Sequence, residues 1–252
     1  MHRLLVTTDI LARDSVTLPQ DAMHHLKVVR PKQGETIELF DGAGHSRHYR
    51  CGASATSPLV ADGAMQSFPR PACSLSLFAC VTKGARWDWT IEKATELGVT
   101  RIIPVMSDRC IVRIAPEERA AKRERWLRIV EEAARQSDAK WLPEVLEPVG
   151  FKDAVALADA CTCFVGALTT PPPEPLLSAV HRSIGESPDN RSFGIFVGPE
   201  GDFTPAELQS LLDVAVPVSF GPTVLRAETA AIFGASALVA ALHATHAPVI
   251  ES

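Results

Sequence analysis

Two short stretches of this 252-residue chain carry residue types that could build a ligand site. The first is Phe196-Val197-Gly198-Pro199-Glu200-Gly201-Asp202-Phe203-Thr204-Pro205-Ala206-Glu207, at the end of an apolar run. Two glycines bracket a Pro-Glu pair there, so the backbone can approach a bound molecule with no Cβ in the way. Thr204 reads as a helix N-cap, Pro205 suits the first helical position, and Glu207 completes a capping box. An ordinary strand–turn–helix connection has the same local features, and both readings stay open on this stretch alone. The second is Phe220-Gly221-Pro222-Thr223-Val224-Leu225-Arg226-Ala227-Glu228-Thr229-Ala230-Ala231. A strand ends at Gly221, and Glu228-Thr229 open a helix of small residues. Glu228 in that first turn is favourable with the helix dipole, which makes capping its plain role. Arg226 could pair with a surface carboxylate, worth at most about 1 kcal/mol. Neither G-x-G-x-x-G nor G-x-x-x-x-G-K-[ST] occurs, so dinucleotide and P-loop chemistry lose their main support.

The elements that must position these loops alternate. Leu75–Val81 reads as a strand, Asp88–Leu97 as a helix stopped by Gly98, and Ile102–Met106 as a second strand. A long helix is expected from Pro116 to about Ser137, with Trp126, Leu127, Ile129, Val130, Ala133 and Ala134 at a period of 3.6. Helix Lys152–Asp159, strand Ala160–Leu168 and the irregular Thr169–Pro175 follow. Strands Ser192–Val197 and Val216–Phe220 then alternate with helices Pro205–Leu212 and Glu228–His243. Such alternation predicts an α/β domain with a mainly parallel, doubly covered sheet. Ligands of open α/β sheets sit beyond the carboxyl ends of strands, where both loops fall. The first seventy residues differ. Arg3–Val6, Thr36–Phe40 and Ser46–Cys51 read as short strands, with one helix over Pro19–Val29. Phe68-Pro69-Arg70-Pro71 reads as a linker, which predicts domains at 1–70 and 71–252.

A hydrophobic fraction of 46% and a charged fraction of 22% exclude wholesale disorder, and 252 residues suffice for a sizeable core without staples. The longest apolar run, Ala230–His243, is about 14 residues and too short to span a bilayer. Met1–Asp9 offers no apolar signal region, so the expected location is the cytoplasm. The net charge of −5 argues only weakly against a nucleic-acid partner. Residues 1–70 are near balance and hold 5 of the 8 histidines, and residues 101–140 carry a local excess of basic side chains. None of the six cysteines forms a C-x-x-C pair. Cys161-x-Cys163 places two sulfurs on one strand face, which suits core packing more than metal ligation.

Taken together, the two loops closely resemble the RsmE family, the ribosomal small-subunit RNA methyltransferases of the SPOUT superfamily. Gly198-Pro199-Glu200-Gly201 before a Phe203-Thr204 helix start, and Leu225-Arg226-x-Glu228-Thr229-Ala230, carry the resemblance. Glu92-Lys93-Ala94-Thr95-Glu96-Leu97-Gly98-Val99 and Ser107-Asp108-Arg109-Cys110 add to it upstream. His24-His25-Leu26-x-x-Val29-Arg30, Gly34-Glu35 and Phe40-Asp41-Gly42-x-Gly44 extend it into the first seventy residues. Two departures stand out: Gly201-Asp202 where many relatives read Gly-Gly, and Arg135-Gln136-Ser137-Asp138. Asp202 would touch the cofactor or cap the helix, with capping the expected job.

The resemblance implies an N-terminal PUA-like β-barrel that binds RNA, and a C-terminal SPOUT α/β domain tied in a deep trefoil knot. It implies a homodimer through the C-terminal domain, S-adenosylmethionine as cofactor, 16S rRNA of the small ribosomal subunit as partner, and 3-methyluridine as product. No metal and no membrane enter. Carried over by position, Leu168, Val197, Gly198, Pro199, Glu200, Gly201, Phe220, Gly221, Leu225 and Arg226 would hold the cofactor. Arg226 would steady negative charge on a uracil carbonyl. Glu228 would orient Arg226 or accept the N3 proton, with orientation the favoured role. Lys27, Arg30, Lys83, Arg86, Arg109 and Arg113 are the candidates for gripping RNA phosphates. The competing readings are a SPOUT methyltransferase with another RNA target and a non-catalytic RNA-binding assembly factor.

Overall fold

The computed structural model describes residues 2–54 and 56–246, so the last six residues of the expected second domain lie outside the described residues. The chain divides into two compact units. One holds Met1–Arg70 together with Glu131–Leu142, and the other holds Pro71–Val130 and Pro143–Ser252. The division after Arg70 falls in the proline-flanked linker. The second segment of the first unit differs from the expected cut into 1–70 and 71–252.

In the first unit, β1 (Arg3–Leu5), α1 (Thr8–Leu11), β2 (Ser15–Val16), α2 (Gln20–Val29), β3 (Thr36–Phe40), β4 (His45–Arg50), β5 (Leu59–Ala61) and β6 (Gln66–Ser67) follow in order. They form one six-stranded sheet in the order β1-β3-β4-β5-β2, with β6 on β4. Only β1–β3 is parallel. The pairing path runs from β1 to β2 and does not close into a barrel among the described residues. Its core gathers Leu4, Leu11, Leu26, Ile37, Leu39, Tyr49 and Leu59. The Tyr49 hydroxyl donates toward the carbonyls of Ile10, Leu11 and Arg13 (3.3, 3.1 and 2.9 Å), which ties the α1 turn to β4.

Glu131–Leu142 joins this unit through buried charge. Arg3 donates from Nε to Glu38 Oε2 (2.6 Å) and from Nη1 to the Ala134 carbonyl (2.6 Å), and lies over the Phe40 ring. Lys140 Nζ donates to Glu38 Oε1 at 2.7 Å. Backbone bonds from Gly44 N to Lys140 O and from Leu142 N to Gly42 O, both 2.9 Å, complete the seam. None of these partners shares a sequence period, which is why the linear cut missed the segment. Burial pushes the Glu38 carboxyl up, but hydrogen bonds from Lys140, Ser46 and Arg3 outweigh it and hold the group below its ordinary 4.5. A carboxylate depressed in the folded state contributes stability above the ordinary range and loses it as the pH falls through the folded value. Acid titration followed by circular dichroism is therefore expected to show stability falling below about pH 4.5. In a Glu38→Gln variant that acid limb becomes shallower. An unchanged limb would assign acid sensitivity to other carboxylates.

The second unit contains β7 (Ser74–Cys80), α3 (Ala85–Glu96), β8 (Arg101–Met106), α4 (Arg119–Ser137), β9 (Glu144–Val145), β10 (Val149–Gly150) and α5 (Phe151–Ala158). It continues through β11 (Thr162–Gly166), α6 (Leu176–Glu186), β12 (Ser192–Val197), α7 (Pro205–Leu212), β13 (Ala215–Val218) and α8 (Ala227–His246). The last turns of α4 belong to the first unit. The sheet order is β10-β8-β7-β12-β11-β13, with β9 also on β8, and every pair is parallel. Parallel strands need covered crossovers, so these strands are apolar on both faces. Side-chain alternation shows the two layers: Ile195 lies against α8 at Gly234, while Phe196 joins Phe78, Ala154, Phe203 and Leu211 on the α5–α7 side. Cys161 and Cys163 bring their sulfurs within 3.2 Å over Gly194, where a Cβ would meet both.

Three local expectations shift. The long helix starts at Arg119, because Pro116–Glu118 forms a separate 3-10 turn. β13 ends at Val218, because Ser219 N donates to Glu174 O instead of continuing the ladder. α6 was unforeseen, although Leu176, Ala179, Val180 and Ile184 bury one helical face directly after Pro175. α8 is long and apolar enough over Ala227–Ala244 to cross a membrane by length and composition, unlike the 14-residue run read from sequence. Its apolarity is used in the fold, since α8 packs on β7, β12, α3 and α6 and buries Ala231, Ala235 and Leu238.

Candidate active site

A cavity of about 280 Å³ opens at the carboxyl ends of β11, β12 and β13 in the second unit. Three connections wall it: Gly166-Ala167-Leu168 after β11, Val197–Glu200 with Asp202 after β12, and Val218–Gly221 with Thr223–Ala227 after β13. Ala230 on α8 closes the lining. The two stretches singled out in sequence thus face one another across one space. Of the ten residues expected around a cofactor, Leu168, Val197, Gly198, Pro199, Glu200, Phe220, Gly221, Leu225 and Arg226 line it, and Gly201 does not. Gly201 turns toward Arg109, whose Nη1 donates to its carbonyl at 2.8 Å.

Small size at the strand ends makes the space. A Cβ on Gly166 would stand 2.6 Å from the Phe220 ring, and one on Gly198 would stand 3.0 Å from Asp202 Oδ1. Gly221 has φ +118°, a conformation that L side chains rarely adopt. The helix behind the first loop begins as its sequence predicts: Thr204 Oγ1 accepts from Glu207 N (3.2 Å), and Glu207 Oε2 accepts from Thr204 N (2.9 Å). Asp202 departs from expectation. It has φ +57°, accepts from Phe203 N at 2.8 Å and lines the cavity, while Thr204 caps the helix. Leu168 and Val224 remain 65% and 77% exposed at the rim, offering apolar surface beside the opening. Besides Asp202, the sequence reading passed over Ser219, Thr223 and Val224, whose one signal was membership of the short loop between β13 and α8.

Charge is arranged along one side. Arg86, from the first turn of α3, donates from Nη1 to Glu200 Oε1 at 2.9 Å, and its Nε lies 4.0 Å from Glu228 Oε1. The side chain of Glu228 is 12% exposed, and its Oε2 is buried with no hydrogen-bond partner among the described residues. Arg226 is exposed on the lining, and its guanidinium makes no hydrogen bond or ion pair among the described residues. The favoured role of Glu228, orienting Arg226, is therefore not what the structure displays. Its cationic neighbour is Arg86, because α8 starts beside α3 and directs residue 228 there.

The basic candidates separate in the same way. Lys27 is exposed on α2, and Arg30 ends that helix at φ +51°, both in the first unit. Lys83 is exposed in the loop before α3. Arg86 is engaged by carboxylates, Arg109 by the carbonyls of Gly201 and Phe203, and Arg113 by those of Ser107 and Asp108. At the carboxyl ends of β7 and β8, Cys80 and Cys110 share Ser107. Burial pushes the Cys80 thiol up, and a hydrogen bond from Cys80 helps to bring Cys110 down to about 6. No cluster of three His, Cys, Asp or Glu suited to a metal occurs among the described residues.

A parallel α/β sheet with a loop-walled cavity at its carboxyl ends is shared by many enzymes, and comparison with known proteins narrows the class. The family described as RNA methyltransferase domain matches residues 69–239, so the chain belongs to that family. It is 30% identical to the ribosomal RNA small subunit methyltransferase E of Synechocystis sp. over 91% of this chain and 74% of that protein. It is 34% identical to the protein of the same name from Bacillus subtilis, over 62% of this chain and 61% of the length of that relative. The crystal structure of a ribosomal RNA small subunit methyltransferase E from Neisseria gonorrhoeae bound to S-adenosyl methionine superposes with a TM-score of 0.75. It has 28% identity and covers 97% of both chains. Within the RNA methyltransferases, the relatives are those named ribosomal RNA small subunit methyltransferase E.

Proposed function

We propose that this chain is an S-adenosylmethionine-dependent methyltransferase that modifies N3 of a uridine in 16S rRNA of the small ribosomal subunit. The observation that carries the reading is the shared cavity: the Gly198–Gly201 and Phe220–Arg226 stretches wall one space at the strand ends, in a chain of this family. The residues present fit the cofactor. Gly166 and Gly198 leave room that a Cβ would fill, and the lining combines apolar side chains with exposed backbone at Gly221. Leu168, Val197, Gly198, Pro199, Glu200, Phe220, Gly221, Leu225 and Arg226 would hold it, and Gly201 would shape the loop from behind. When bound, S-adenosylmethionine supplies a methyl group already activated as a sulfonium.

The work of this chain is then orientation, exclusion of water and charge control. N3 of uracil carries a proton at neutral pH, and its loss spreads negative charge onto the flanking carbonyl oxygens. Arg226 is the donor for that charge, because its guanidinium stands on the lining with no partner among the described residues. Glu228 stands two residues from Arg226 and just off the lining, with Oε2 buried and unpartnered among the described residues and its other oxygen facing Arg86, and it is the carboxylate proposed to accept the proton. Lys27, Arg30 and Lys83, exposed and with no side-chain hydrogen bond or ion pair among the described residues, serve phosphate contact better than Arg86, Arg109 and Arg113, which are engaged within the protein.

The same reading includes a PUA-like barrel at the N-terminus, a trefoil knot and a homodimer formed through the second unit, in the cytoplasm. A six-stranded sheet that is antiparallel except for the β1–β3 pair supports the first. The second is supported by a crossing: β13 lies beyond β11 from β12, yet α8 returns to pack on β12 and β7. The test uses purified protein, methyl-labelled S-adenosylmethionine and small subunits lacking the modification, with nucleosides separated by mass spectrometry. Label in 3-methyluridine is expected. Label in another nucleoside would keep the class and change the target, and no label with intact cofactor binding would favour an assembly role.

A further inference from the structure

We infer that Arg109 is a positioning residue for the cofactor-side loop, clasping Gly198–Phe203 from the side away from the cavity; this rests on the functional reading above. Gly198, Pro199, Glu200 and Asp202 face the cavity, and Gly201 alone among them is turned out. On that outer side Arg109 Nη1 donates to the carbonyls of Gly201 (2.8 Å) and Phe203 (3.3 Å), spanning the turn. A Cβ on Gly201 would come within 3.5 Å of Arg109 Cδ, so the two surfaces are in close contact. The turn needs holding. Asp202 has φ +57°, in the left-handed region, and its N–H is bonded back to Pro199 O at 2.9 Å. A non-glycine residue persists in that conformation only where its surroundings determine it.

The clasp is itself anchored. Arg113 donates to the carbonyls of Ser107 (3.0 Å) and Asp108 (2.5 Å), which fixes the base of the loop carrying Arg109. Glu207, 6% exposed, uses both oxygens: Oε2 accepts from Thr204 N and Oε1 from Asp108 N at 2.8 Å. The capping box legible in sequence therefore has a second, long-range duty, linking the loop after β8 to the loop after β12. An arginine that grips phosphates keeps its guanidinium fork free, whereas Arg109 spends Nη1 on two backbone carbonyls. Pre-ordering a loop raises ligand affinity by removing the cost of ordering it on binding.

Calorimetry with S-adenosylmethionine tests this. Arg109→Ala is expected to raise the Kd about tenfold, with KM for the cofactor rising more than kcat falls. Arg109→Lys, which retains a single donor group, recovers part of the loss. Amide exchange in the cofactor-free protein gives a second readout: faster exchange over residues 198–204 with α8 unchanged. Unchanged cofactor affinity and exchange, together with weaker and less salt-dependent binding to small subunits, would overturn the inference and make Arg109 a phosphate contact. Global loss of exchange protection would also overturn it, as the mark of a general folding residue. Wild-type protein that binds no S-adenosylmethionine would overturn the functional reading and this inference with it.

Discussion

Arg226→Ala is expected to lower single-turnover methylation of small subunits by about 10²–10³-fold, the usual cost of removing one donor to a developing oxyanion. The same variant should keep its affinity for S-adenosylmethionine within a few-fold and its melting temperature unchanged. The structure separates these outcomes because the guanidinium has no structural partner among the described residues: it lines the cavity, is exposed, and supports no carboxylate or carbonyl. Arg226→Lys retains a charge but loses the planar fork, so an intermediate rate is expected. Rapid-quench kinetics beside calorimetry decide the matter. Equal losses in rate and cofactor affinity would make Arg226 a binding residue and remove the charge-stabilising role.

The second large effect is steric. Gly166→Val puts a Cβ where the Phe220 ring lies 2.6–2.7 Å away, closer than real contacts allow. Phe220 cannot simply retreat. It is tilted against Phe233 at 5.6 Å between centroids, and α8 stands behind it at Gly234, where an added Cβ would lie 3.5 Å from its Cζ. The ring must move into the cavity or push on α8. Overpacking of this kind costs about 1–3 kcal/mol of stability. Because Phe220 and Gly166 both line a cavity of only about 280 Å³, cofactor affinity should fall by more than the roughly tenfold expected at Arg109. Thermal melts and calorimetry on Gly166→Ala and Gly166→Val should show a graded loss. Undiminished affinity in the valine variant would mean that the cofactor does not use this wall.

Much of the fold was legible because the signals were local. Thr36–Phe40 and Ser192–Val197 have apolar runs bounded by turn residues, and both strands take those bounds. Helix Pro205–Leu212 is delimited by its own cap, Thr204 with Glu207, and also keeps its bounds. α6 lies directly behind the prolines at 171–173 and 175, whose local signal is irregular chain, and its apolar period begins only at Leu176. The attachment of Glu131–Leu142 to the first unit was invisible for another reason. Arg3 reaches Ala134 and Lys140 reaches Glu38 across more than 100 residues, and no spacing rule connects such positions.

At the site the same division holds. Residue type and order alone determined that two glycine-bearing loops follow apolar strands, that a capped helix stands behind one of them, and that Arg226 precedes the last helix with Glu228 in its first turn. Only the tertiary structure decided which charges meet. It turned Glu228 toward Arg86 and left Arg226 without a partner among the described residues, drew Asp202 into the lining while sending Gly201 out, and committed Arg109 and Arg113 to backbone carbonyls. Period and propensity act over a few residues, whereas the partner of a side chain depends on which strand ends the sheet order makes neighbours.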